Sequence, residues 1–214
     1  MNVPIPGPGS PSNNRPFPLF GFIQYPENVG NANYNALQLR MEKRLSKGVT
    51  ILSAFAYGRS IDNSSGVRPG AGDILQMNNP YNIGSGERGL FAFNSKYRWV
   101  TSGLYQLPFG PGAGYLANSG KLVNALVATW QLGGILTLQS GMPLTALDGK
   151  DVLNTGGTGI AERPDATGVS PRLSNPTPMN WFNKAAFVYN APYIYGNDGR
   201  NNIIGLVLLR RTCP

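Results

Sequence analysis

The segment from Leu126 to Gln139, within "LVATWQLGGILTLQ", alternates apolar and polar side chains. Because successive side chains of a β-strand point to opposite faces, the pattern predicts a strand with one apolar and one mostly polar face. Trp130 belongs to the apolar set and is expected inside this strand, away from its ends. The apolar set includes Leu132, Leu136 and Leu138, and the polar set includes Gln131 and Gln139. The apolar face needs a covering, which is either a protein core or lipid.

A second alternating segment predicts a β-hairpin over residues 34–57. If the chain reverses at Lys47, residues whose numbers sum to 94 lie opposite one another, so that Leu39 faces Phe55. The Gly-containing turn "SKG" at Ser46–Gly48 suits such a reversal, and favours a hairpin over a helix with apolar residues four apart. The apolar side carries Leu37, Leu39, Met41, Ile51 and Phe55, and the polar side carries Gln38, Arg40, Glu42 and Arg44.

A third strand is expected from about Ser95 to Leu107, and it pairs with the first segment in a hairpin over 95–140. Its polar positions include Lys96 and Arg98, interrupted by Val100 and Leu104. Aromatic residues are predicted on the apolar side towards strand ends, where membrane barrels carry interfacial girdles: Tyr57, Tyr97, Trp99 and Tyr105.

The connections alternate between short turns and long polar loops. Residues 1–30 and 58–93 are expected to be loops, and 141–205 a loop with weak strands. Loops of such length are unusual in a compact soluble sheet but typical of the extracellular side of membrane barrels. The sequence therefore predicts an all-β fold, an antiparallel meander of long strands that forms a partial, open transmembrane β-barrel. Its apolar positions would face lipid and its polar positions the lumen.

Composition agrees with a β-rich protein that is not cytosolic. The chain has 214 residues, with 28 Gly, 18 Pro and only 13% charged residues. The net charge of +8 raises the alternative of nucleic-acid binding, but Lys and Arg are dispersed and no basic run or recognition motif occurs. We therefore expect no nucleic-acid partner.

The types of residue present exclude most kinds of catalytic site. The sequence has no His and a single Cys, Cys213, so it contains no Ser-His-Asp triad, Cys-His pair, intrachain disulfide or His-based zinc site. We expect no catalytic residue, no metal and no cofactor.

Targeting signals are missing from the sequence. It lacks an apolar run long enough for a membrane-spanning helix, which needs roughly 18 residues, and the N-terminus does not read as a secretory signal. We expect the chain to be a fragment, with any export signal upstream of Met1.

Several motifs together resemble a known family. "GNANYNALQLRMEKRLSKGVTILSAFAYGRSIDNSSG", "YQLPFGPG", "WQLGGILTLQSGMPLT", "RPD", "WFNKAAF" and "GNDGRNNIIG" occur in this order. They resemble the barrel of Oar-like TonB-dependent receptors of the bacterial outer membrane, which carry a carboxypeptidase-regulatory-like domain. The resemblance runs from Pro6 to Gly205. The approach to the third strand, "FNSKYRW", departs from the usual family pattern, and no role is transferred to it.

The last nine residues also depart from that pattern. Where the family continues with Gly-Pro-Gly into a strand, this chain reads "GLVLLRRTCP". One added nucleotide in a suitable codon reading restores Gly-Pro-Gly and a polar strand entry. The hypothesis is that residues 206–214 are a frameshifted or aberrant tail.

The resemblance implies a transporter that imports a large or scarce substrate. Its partners would be outer-membrane lipid, the remaining barrel strands, a plug, and the TonB complex through an N-terminal part outside this chain. The substrate cannot be deduced from the sequence. The alternative is a soluble extracellular β-sandwich for binding or adhesion, in which a second sheet covers the apolar faces.

Overall fold

A computed structural model describes residues 2–21, 23, 28–46, 48–64, 77–82, 84, 86–110, 112, 114–116, 118, 120–127, 130–157 and 162–212. The long strands are β1 (Ala32–Ser46), β2 (Val49–Asp62), β4 (Tyr97–Gln106) and β5 (Gln131–Gln139). The short strand β3 (Gly89–Leu90) follows β2 and precedes β4 in the sequence. The short strands are β6 (Pro143–Leu144), β7 (Asp165–Ala166), β8 (Arg172–Thr177), β9 (Asn180–Phe182), β10 (Phe187–Val188), β11 (Ile203–Ile204) and β12 (Leu208–Thr212). The helix α1 covers Lys121–Val127, and a 3-10 turn covers Lys184–Ala186.

The chain divides into two compact units. The sheet unit comprises residues 36–58, 95–140 and 207–214, and the loop unit comprises residues 1–35, 59–94 and 141–206. None of the described helices is long and apolar enough to span a membrane.

The sheet unit is an open meander in the order β1-β2-β4-β5-β12, so it is nearly all β and antiparallel, as the sequence predicts. The pairing between β4 and β5 places Trp99 opposite Leu138 and Tyr105 opposite Leu132. The strands β1 and β12 are the edges of the described sheet, which does not close.

The turn between β1 and β2 depends on a glycine. Gly48 has a φ of +76°, and a Cβ at this position would lie 2.8 Å from the carbonyl oxygen of Gln106. Such a backbone conformation and so close an approach favour glycine over other residues. At the far end of the hairpin, the backbone N–H of Asn63 donates to the oxygen of Asn31, a pair whose numbers sum to 94.

The boundaries of several predicted elements need correction. The strand β2 continues to Asp62, and β3 lies inside the segment 58–93, which was predicted to be entirely loop. Leu126 lies in α1, and β5 begins only at Gln131, while Ala128 and Thr129 lie outside the described residues. A short helix forms here because the run "KLVNAL" at residues 121–126 has only one β-branched side chain, that of Val123.

The predicted aberrant tail contributes a strand. Leu208–Thr212 forms β12 and pairs antiparallel with β5, with Leu209 opposite Leu138 and Arg211 opposite Leu136. Cys213 lies outside the described residues. The frameshift origin of the tail stays a hypothesis.

The loop unit is held around a small apolar centre and a larger set of buried polar residues. Val3 and Leu153 pack together with Tyr195 against them. The hydroxyl of Tyr81 donates to the carbonyl oxygen of Val3, which fixes the N-terminal loop. Three short two-stranded sheets complete the unit: β6 with β11, β7 with β10, and β8 with β9.

Candidate functional site

One face of the sheet unit, called here the apolar face, gathers the residues predicted to contact lipid. The register between β2, β4 and β5 places Phe55, Trp99 and Leu138 in one row across the three strands. The row ending in Leu132 contains Tyr105, and the row with Tyr97 contains Tyr57. By the same alternation Ile51 and Leu136 share this face.

The strand β1 continues this arrangement. If the Asn31–Asn63 pairing runs along the hairpin without a bulge, Leu39 lies opposite Phe55. Leu37 and Met41 then lie on the same face, because they alternate with Gln38 and Arg40. These three apolar side chains are exposed, Leu39 to 56%. Contiguous exposed apolar side chains of this kind, which nothing in the described sheet unit covers, mark an interaction surface.

Aromatic residues occupy both ends of the apolar face. Tyr57, Tyr97 and Trp99 lie at one end, and Tyr105 lies at the other end, near Gly48. Trp130 immediately precedes β5, and its carbonyl oxygen accepts a hydrogen bond from the N–H of Leu107. The expectation that Trp130 lies well inside a strand is therefore wrong, and it shares the end of Tyr105.

Three polar groups on the apolar face, from Trp99, Ser53 and Thr101, form hydrogen bonds with one another. The indole Nε1 of Trp99 donates to the hydroxyl of Ser53 at 2.7 Å, and that hydroxyl lies 2.9 Å from the hydroxyl of Thr101. Such mutual pairing is what an apolar environment requires, because an unpaired polar group there costs free energy.

The opposite face, called here the polar face, carries the residues predicted to face the lumen. Arg98 lies opposite Gln139, and Gln106 lies opposite Gln131. In β1, Glu42 lies between two arginines and accepts from Arg40 at 3.2 Å and from Arg44 at 3.1 Å. By alternation Gln38 shares the face of Arg40.

Two further features belong to the polar face and its edge. A hollow of about 330 Å³ lies among Leu52, Leu104 and Ile135, so this face is partly apolar there. Lys96 lies just before β4, and its ammonium nitrogen is 5.9 Å from the ring centroid of Tyr57. The charged end of Lys96 therefore lies near Tyr57, and the lumen-facing position of Lys96 stays a prediction.

The loop unit buries two ion pairs. The guanidinium of Arg163 pairs with the carboxylate of Glu87 and donates to the backbone oxygen of Gly86 at 2.9 Å. The guanidinium of Arg200 pairs with the carboxylate of Asp62 and donates to the backbone oxygen of Glu87 at 3.0 Å. Buried charges persist only when they are paired and hydrogen-bonded in this way.

Sequence reasoning missed these pairs. Arg163 and Arg200 belong to the motifs "RPD" and "GNDGR", which entered only as part of the family resemblance. The signal in the sequence that could have indicated a buried arginine was a single Arg within a loop that is otherwise rich in Gly and Asn. The backbone between the motifs is also tightly packed, because a Cβ on Gly196 would overlap the carbonyl oxygen of Arg163.

A pair of carboxyl groups shapes the loop around residue 153. Glu162 accepts from the N–H groups of Val152 at 2.7 Å and Leu153 at 3.3 Å. Burial, together with a hydrogen bond with Asp151, raises the pKa of Glu162 to about 7 against the lowering effect of those N–H groups. Burial opposes the ionisation of Asp151 as well, but hydrogen bonds from Thr155, Glu162 and Gly156 set its pKa below the ordinary value.

An aromatic cleft of about 740 Å³ also lies in the loop unit. Its walls include Leu144, Leu147, Trp181, Phe182, Phe187 and Tyr189. Asp148 borders the cleft, and burial raises the pKa of its carboxyl group, with the charge of Asp165 adding to the effect. Within the part of the chain that the structure describes, no cluster of acidic, His or Cys residues could hold a metal ion.

An open antiparallel sheet of long strands with one exposed apolar face is typical of a part of a membrane β-barrel protein. The family model of the outer membrane beta barrel domain matches residues 1–208, and the chain belongs to this family. No curated protein and no solved structure gives a significant match to the chain. The chain is therefore a piece of an outer-membrane β-barrel, and its surroundings include lipid.

Proposed function

We propose that this chain is part of the barrel wall and external loops of an Oar-like TonB-dependent receptor, which imports a large or scarce substrate. The observation that carries the proposal is the ordered series of motifs from Pro6 to Gly205, within a chain that belongs to an outer-membrane barrel family. The plug, the other barrel strands and the TonB complex are proposed partners. We also propose that this part of the receptor catalyses no reaction.

The two faces of the sheet receive roles in this proposal. The apolar face contacts lipid, since Leu37, Leu39 and Leu132 are exposed and the indole of Trp99 pairs with Ser53. The polar face lines the lumen, where the carboxylate of Glu42 balances part of the charge of Arg40 and Arg44.

Long-read sequencing of the gene locus tests the receptor role. The expected result is an open reading frame that encodes a plug and further strands of about ten residues beside this segment. Uptake by the complete protein should then stop when the TonB complex is inactivated. A locus that encodes neither a plug nor further strands would contradict the proposal.

Lipid contact distinguishes the proposal from a soluble β-sandwich. A variant that keeps Trp99 and replaces the other two tryptophans, Trp130 and Trp181, by phenylalanine gives a single reporter on the apolar face. Brominated lipids should quench its fluorescence strongly, and aqueous iodide should not. Strong iodide quenching would favour the soluble sandwich.

A further inference from the structure

The helix α1 lies in the connection between β4 and β5 and exposes most of its apolar side chains. Leu122 is 83% exposed and Leu126 is 72% exposed. These residues are four apart, so they lie on the same side of the helix. An exposed apolar pair of this kind is costly in water, and nothing among the described residues of the sheet unit covers it.

Trp130 connects this helix to the apolar face. The indole Nε1 of Trp130 donates to the carbonyl oxygen of Leu126 at 2.6 Å, which satisfies a carbonyl group near the end of the helix. The pairing of Leu107 with Trp130 continues the register of β4 and β5, so Trp130 lies on the apolar face. The exposed helix is therefore joined to the surface that faces lipid.

The same contacts fix the end of the sheet at which α1 lies. The N–H of Gln106 donates to the oxygen of Gly48 at 2.8 Å, so the tight β1–β2 turn and Trp130 are at the same end. In outer-membrane barrels the short turns are periplasmic. Tyr105, on the same face, lies near this end as well.

We propose that α1 is an interfacial helix that binds the periplasmic leaflet of the outer membrane, with Leu122 and Leu126 inserted at the boundary between headgroups and acyl chains. The occupant is lipid because the exposed pair is continuous with the apolar face through Trp130. Tryptophan is enriched at this depth of a bilayer, and Lys121, at the start of the helix, has a side chain long enough to reach lipid phosphates. Interfacial helices are expected to bury their apolar side about 5–10 Å deep.

The proposal goes beyond the receptor role and rests only on the assignment of the apolar face to lipid. It explains why this connection is longer than a periplasmic turn needs to be. A plug or a TonB complex has no part in it.

Depth-dependent quenching tests the proposal on the full chain, folded in vesicles of phosphatidylcholine and phosphatidylglycerol. With Cys213→Ser as background, a bimane label is attached at Leu126→Cys. Labels at Leu132→Cys and Val169→Cys serve as controls for the apolar face and for the loop unit. The quenchers are lipids brominated near the glycerol, lipids brominated near the chain ends, and aqueous iodide.

The label at Leu126 should be quenched about twofold more strongly by the shallow bromine than by the deep one, since interfacial helices stay near the headgroups. The substitution Leu122→Glu should make this label accessible to iodide, whereas Asn118→Glu, which adds the same charge just before the helix, should not. The single-tryptophan variant with Trp99→Phe and Trp181→Phe reports on Trp130 without a label and should give the same depth.

Two results would overturn the proposal. Iodide quenching at Leu126 equal to that at Val169 would place the helix in water. Protection from both iodide and brominated lipids would place it against protein. If brominated lipids do not quench the label at Leu132, the assignment of the apolar face to lipid is wrong. This result distinguishes a failure of that assignment from a failure of the proposal about the helix.

Discussion

The sheet unit and the loop unit place their apolar and charged side chains in opposite ways. In the sheet unit Leu39 is 56% exposed, whereas in the loop unit Arg163 is only 2% exposed. The sheet leaves apolar side chains such as Leu39 and Leu132 exposed, while the loops turn charges inward and pair them. The difference teaches that two parts of one chain follow opposite rules of burial, and the proposed assignment of the apolar face to lipid accounts for it.

The largest expected effect concerns the buried ion pair of the loop unit. The substitution Arg200→Met removes the cation beside the Asp62 carboxylate, and such a loss typically costs about 3–5 kcal/mol. Hydrogen exchange should show faster exchange of loop amides near Glu87, with the amides of β4 unchanged. The matched variant Arg40→Met, in an exposed pair, should cost at most about 1 kcal/mol. Equal losses of stability in the two variants would contradict the difference between the two units.

The next effect concerns the two faces of β5. The substitution Leu136→Arg puts a charge on the apolar face and should destabilise the sheet in a bilayer by about 2–4 kcal/mol. Its neighbour Ile135 is equally aliphatic but lies on the polar face, so Ile135→Arg should cost less than about 1 kcal/mol. Urea unfolding of the chain in vesicles measures both. A larger cost at Ile135 would reverse the assignment of the faces.

A pH dependence is expected in the loop unit. Because the pKa of Glu162 is raised from 4.5 to about 7, the folded state holds this proton more tightly than the unfolded chain does. Its stabilising contribution is complete below pH 4.5 and is lost as the pH rises through about 7. Asp151, whose pKa is lowered, loses its contribution in the opposite direction, as the pH falls below its ordinary pKa. Hydrogen exchange of the Leu153 amide between these pH values measures the effect, after correction for intrinsic exchange rates.

The matched variant for this dependence is Glu162→Gln. It keeps an oxygen for the N–H groups of Val152 and Leu153 but cannot ionise. The dependence of local stability on pH should therefore disappear near Leu153. An unchanged slope would mean that another group is responsible.

The smallest expected effect concerns the polar groups of the apolar face. The substitution Ser53→Ala removes the acceptor of the Trp99 indole and the partner of Thr101, at a cost of about 1 kcal/mol. Thr50→Ala in the same strand is a suitable control on the polar face. Unfolding of both variants in vesicles measures the difference, and an equal cost would mean that the pairing contributes nothing.

The sequence predicted the alternation of the sheet well. A strand repeats every two residues, so the faces of Leu136 and Gln139 follow from their positions alone. The predicted pairing sum of 94 also agrees with the Asn31–Asn63 hydrogen bond. Where the prediction was wrong, at Leu126, a short apolar run fitted a helix as well as a strand, and periodicity does not distinguish the two over seven residues.

The loop unit was beyond sequence reasoning. Nothing in the positions of Asp62 and Arg200, 138 residues apart, indicates that they pair. Irregular loops have no repeat, so their side chains carry no periodic signal about direction or partner.

The sequence by itself therefore determined the kind of fold, the two faces of the sheet and the absence of histidine chemistry, because these depend on local order and composition. Only the tertiary structure decided which arginines pair with which carboxylates, where Trp130 lies and that residues 208–212 extend the sheet. The physical reason is that strand alternation is a local property, whereas burial and pairing in loops depend on contacts between distant parts of the chain.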